Sequence, residues 1–186
     1  MQLTKSVFIL APPEAVFRTI ANVPLRLSLN PFWRVLEVRK LTPGELSPGT
    51  RFRVRLRSGD REIAYTSECV ELEENRKLRS IAREAGFEVL LTLRRVAGGT
   101  LLTHTELLRD GEEKLEAAEE VLETWLDNLR RYTEVANSRF SFLLPLVKRW
   151  LLRSPRDREL IKLMLIIDLG LSLGALLAVA AARLLF

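Results

Sequence analysis

Cysteine and histidine each occur once in the 186 residues, as Cys69 and His104. A single thiol excludes an intrachain disulfide and any cysteine-based metal cluster, and one imidazole excludes the paired histidines of zinc sites. There is no Ser/His/Asp set and no glycine-rich phosphate loop, since Gly98-Gly99 reads as a hairpin turn. Neither a cofactor nor a metal is expected. The N-terminal apolar run, VFILA, is too short for the core of a signal peptide. Internal repeats and low-complexity segments are also lacking.

Charge is unevenly placed. The net charge is +5, but residues 138–186 hold 8 basic and 3 acidic side chains, leaving 21 of each in residues 1–137. The pI near 9.8 therefore does not describe a basic folded domain, and nucleic acid is not an expected partner. The surplus instead flanks Leu163 to Ala182, whose only charge is Asp168. Twenty such residues make a helix ~30 Å long, the thickness of a bilayer's hydrocarbon core, so residues 161–186 read as a transmembrane tail anchor. The preceding lysines and arginines predict a single-pass membrane protein with its N-terminal domain in the cytoplasm. A core helix is the alternative reading.

Residues 138–160 are expected to form a basic amphipathic linker. Within them, FSFLLPLVKRWLL is too short to span and suits the bilayer interface better than a re-entrant hairpin. Gly170, Gly174, Ala178 and Ala182 recur every four residues, so the anchors are candidates for homo-oligomer contacts.

Upstream, the chain reads as a β-favouring run, Ser6 to Leu10, then a helix opened by Pro12-Pro13 over Glu14 to Ala21, then a short helix or turn, Leu25 to Leu29. Six strands follow: Trp33 to Leu41, Arg51 to Arg57, Glu62 to Leu72, Leu78 to Arg83, Phe87 to Val96 and Thr100 to Leu108. Turn residues such as Ser58-Gly59-Asp60 and Glu74-Asn75 separate them. RFRVRLR alternates strictly, which predicts one buried and one wet face. Asp110 with Glu113 forms a capping box, and Leu115, Ala118, Leu122, Trp125, Leu129, Tyr132 and Ala136 stripe one face of a long helix over Glu112 to Ala136.

This order resembles the helix-grip fold of the START and polyketide-cyclase (SRPBCC) superfamily. The resemblance rests on APPEAVFRTIANV, PGELSPGTRFRV, VELEENRKLRSIA and GGTLLTHTELL, and it covers residues 2 to about 137. It implies an α+β domain over residues 1–137 in which a curved antiparallel sheet of about seven strands wraps a long C-terminal helix. It further implies an apolar cavity between sheet and helix, and hence a binding protein for a lipid or other apolar small molecule.

Residues expected to line that cavity are Phe52, Val54, Phe87, Val89 and Leu91 on the strands and Leu122, Trp125 and Leu129 on the helix, with Tyr65 and His104 as polar members. Taken singly, each apolar residue fits a solid core at least as well. His104, with Tyr65 or Glu106, has the chemistry of an acid or base for a cyclase- or dehydratase-like reaction. A lone strand histidine is more simply read as surface-exposed or hydrogen-bonded. An interaction module without a ligand is the remaining alternative, and no catalytic residue is assigned.

Overall fold

The strands are set by alternation and by the turns between them. The computed structural model describes residues 1–108, 115–153, 156–164 and 166, with the side chains of residues 115–117 excepted. β1 (Gln2–Ile9), α1 (Pro13–Ala21) and α2 (Val23–Ser28) precede β2 (Arg34–Lys40), β3 (Arg51–Ser58), β4 (Arg61–Glu73), β5 (Lys77–Ala82), β6 (Phe87–Val96) and β7 (Gly99–Leu108). The long helix α3 (Leu115–Ala136), a 3-10 turn (Ser141–Leu143) and α4 (Leu144–Leu151) follow.

All seven strands form one antiparallel sheet in the order β1-β7-β6-β5-β4-β3-β2. Strands consecutive in sequence, β1 and β2, are therefore opposite edges. The chain between them must cross the sheet, and α1 and α2 make that crossing. Bulges between Val35 and Glu37 and between Cys69 and Glu71 bend their strands and raise the local twist. At the β6–β7 hairpin the φ of Gly98 is +80°, and a Cβ on Gly99 would stand 2.2 Å from the Ile9 carbonyl oxygen. Only glycine permits β1 to end so close to this turn.

In β3, Phe52, Val54 and Leu56 are buried while Arg51, Arg53, Arg55 and Arg57 are exposed. On that outer face Glu62 accepts from Arg55 and Arg57, and the two guanidiniums hold its carboxyl below the usual range. The inner face carries two apolar clusters. The larger joins Leu3, Ile9, Val16, Ile20, Leu78, Leu91 and Leu102 to Leu122, Trp125, Leu126 and Leu129 of α3. The smaller joins Val23, Phe52, Val54, Leu56, Tyr65 and Ala82.

α3 is fixed from outside by Lys5, 3.1 and 2.7 Å from Glu119 and Glu123, and by Glu134, which accepts from the Leu10 amide at 2.9 Å. Its buried face includes Leu122, Trp125 and Leu129 as expected, and also two polar residues, Asn128 and Thr133. Ala136 is exposed and Tyr132 only half-buried. The capping box at Asp110 to Glu113 lies outside the described residues.

The compact unit extends past residue 137 to Leu152. Leu151 is 1% exposed in the larger cluster, with Val147 and Trp150 packed beside it, while Phe142 and Leu146 stay exposed. A second unit covers residues 153–186. The expected single-pass membrane localisation is corrected here: among the described residues no helix is long and apolar enough to cross a membrane. The helix described in this stretch, residues 156–164, carries Arg156, Asp157, Arg158, Glu159 and Lys162, and of the expected span Leu163 to Ala182 only Leu163, Met164 and Ile166 are described. Nine residues rise only ~14 Å, about half a bilayer core. The rest of the expected span, with Gly170, Gly174 and Ala178, lies outside the described residues.

Candidate functional site

A helix of six residues leaves most of its carbonyls without intrahelical partners, and α2 meets this need with side chains from elsewhere. Trp125 Nε1 donates to the Arg26 carbonyl at 2.9 Å, Trp33 Nε1 to that of Leu27 at 2.9 Å, and Asn128 Nδ2 to that of Leu29 at 2.8 Å. Asn128 also reaches the Leu151 carbonyl at 3.3 Å. Helix α2 is thus clamped by α3 and by the residue preceding β2. The clamp fixes where the Arg26 side chain must go.

Arg26 goes inward. It is 6% exposed, and its Nη1 has no hydrogen-bond partner. Among the described residues no carboxylate pairs with it. Burial pushes its guanidinium down to about 10, opposed only weakly by the neighbouring Tyr65 and Cys69. Both neighbours stand on β4, where the same burial pushes the Tyr65 hydroxyl up to about 12 and raises the Cys69 thiol. At neutral pH the site therefore holds a neutral phenol, a neutral thiol and a cation.

His104 stands on β7 opposite Lys5 of β1 and Leu91 of β6. It is 3% exposed, with its ring edge-on to Trp125 at 5.0 Å between centroids and an angle of 86°. Glu106 Oε2 lies 3.4 Å from Nε2, yet neither ring nitrogen makes an aligned hydrogen bond. The simple expectation of an exposed or hydrogen-bonded histidine is thereby corrected, because α3 lays Trp125 across the ring and closes it off from water.

Register puts these groups in order. Leu3, Glu106, Val89, Ser80 and Cys69 are successive cross-strand partners from β1 to β4. This row crosses the sheet with polar groups at three of its five positions. His104 stands two residues along β7 from Glu106, and Tyr65, edge-on to Phe87 at 5.1 Å and 79°, stands four residues along β4 from Cys69. The inner face thus carries, beside its two apolar clusters, a set of polar groups that form a polar seam.

Of the residues expected from sequence, Phe52, Val54, Tyr65, Leu91, His104, Leu122, Trp125 and Leu129 are buried, and Phe87 and Val89 partly so. They fall in both clusters, with Tyr65 and His104 on the seam. Phe87 also lines an open recess of about 460 Å³, with Met1, Ala82, Gly86 and Leu108, where β5 and β7 end and β6 begins. Arg26 is absent from the sequence expectation. Its signal was there: it is the only charged residue between Arg18 and Arg34.

No family model and no curated protein matches this chain. Solved structures do. A protein from Thermus thermophilus, TTHA0849, aligns with a TM-score of 0.60 at 17% identity, over 74% of this chain and 100% of that one. An AHSA1-like protein from Aeromonas hydrophila gives 0.56 at 22%, over 73% and 94%. Ara h 8.0201 gives 0.56 at 11%, over 72% and 97%. The fold is the helix-grip. At these identities the likeness concerns fold alone, so within the helix-grip frame the chemistry rests on this chain's own side chains. Among the described residues no group of histidine, cysteine or carboxylate side chains could hold a metal ion.

Proposed function

We propose that this helix-grip domain binds an apolar small molecule between its sheet and α3. The observation that carries the reading is the polar seam. Buried polar atoms in folded proteins are nearly always hydrogen-bonded, and a solid core has no use for unmatched ones. Here Arg26 Nη1, His104 Nδ1 and His104 Nε2 are buried without hydrogen-bond partners, with His104 edge-on to Trp125 of the larger apolar cluster. Mostly apolar walls with a few converging polar groups are the usual makeup of a small-molecule site. The wall residues are Phe52, Val54, Phe87, Val89, Leu91, Leu122, Trp125 and Leu129, with Tyr65 and His104 as polar contacts.

Titrating the full chain with straight-chain alcohols of increasing length, followed by tryptophan emission, tests this. Each added CH₂ should strengthen binding roughly three- to four-fold, and Val89→Trp should block uptake with the fold retained. Affinity independent of length, together with unfolding by Val89→Trp, would mean that the interior is a solid core.

A further inference from the structure

The buried guanidinium of Arg26, carried by α2, has no hydrogen-bond partner at Nη1 and no carboxylate paired with it among the described residues. We propose that the ligand is an anionic amphiphile, an alkyl chain ending in a carboxylate, whose headgroup is received by the Arg26 guanidinium and the Tyr65 hydroxyl. This inference rests on the proposed apolar site and adds the class of ligand.

Three features converge on that headgroup. The backbone of Arg26 is pinned by Trp125, and those of Leu27 and Leu29 by Trp33 and Asn128, so the turn of α2 that carries the guanidinium is held in place before any ligand arrives. A guanidinium offers planar paired donors that match a carboxylate's two oxygens. Tyr65, buried on β4 and interacting electrostatically with Arg26, keeps its hydroxyl neutral at ordinary pH because burial raises its pKa, and so offers a further donor. Glu106 lies 3.4 Å from His104 Nε2 and also acts on Tyr65, helping to raise its pKa. Tyr65 is in ring contact with Phe87, which also lines the open recess at the sheet edge.

The test compares decanoate with decanol on the full chain at mildly alkaline pH, by calorimetry. Decanoate should bind at least about ten-fold tighter, the range expected of a charge-assisted hydrogen bond. Arg26→Met should abolish that preference, and Tyr65→Phe, which removes one oxygen and endangers folding less, should reduce it. Equal affinity for the two ligands in the unaltered protein would overturn the anionic headgroup while leaving apolar binding standing. A preference that survives both substitutions would overturn the assignment to these residues. Binding of neither ligand would overturn this inference and the proposed function together.

Discussion

A buried arginine without a partner is costly to keep, and Arg26 should show it. Its folded guanidinium is pushed down to about 10, well below its ordinary value, so folding disfavours the charged form. The sign is set by that direction: the cost is fully present below about pH 10 and fades as the pH rises toward the unfolded value. Arg26→Met, similar in length and uncharged, is therefore expected to stabilise the ligand-free protein at neutral pH by roughly 3 kcal/mol. The gap should narrow above about pH 10. Urea unfolding across that range measures it, and a destabilised variant would show that Arg26 supports the fold instead of a ligand. Asn128→Ala should act in the opposite direction, costing about 2–3 kcal/mol, because two buried carbonyls, of Leu29 and Leu151, lose their donor. At this scale the sequence was half legible. Tyr65 and His104 stand out as polar residues in alternating strands, whereas the contact between α2 and α3 that fixes Arg26 and Asn128 joins residues 99 apart in sequence. Periodicity along one element carries no trace of it.

The elements themselves were largely legible, since strand alternation and hairpin glycines act locally. All seven strands and the three helices α1, α2 and α3 lie within a few residues of where pattern and turns put them. The place of α4 was not legible. FSFLLPLVKRWLL looks interfacial because its apolar residues outnumber what one face needs, yet Leu151 is buried against α3, and its carbonyl accepts from Asn128. Leu151→Ala should therefore cost about 3 kcal/mol. A chain shortened to Leu152 should unfold at the denaturant concentration of the full chain's compact unit, and one shortened to Asn137 at a clearly lower one. Equal midpoints for the two would mean that α4 adds nothing to the domain.

For the whole molecule, seven strands and one long helix leave a concave inner face that α3 covers mainly on its β1 side. The β3–β4 side is left to the short helix α2, and the two apolar clusters follow from that division. A bound chain would join them. The most direct measurement is a set of intermolecular NOEs between carbon-13-labelled decanoate and the methyl-labelled full chain. The account predicts contacts from the alkyl chain to Val54, Val89, Leu91 and Leu129 and to the indole of Trp125, all of them inner-face or α3 groups. Contacts confined to the exposed outer-face residues Phe8 and Leu107, with none to those five, would contradict it.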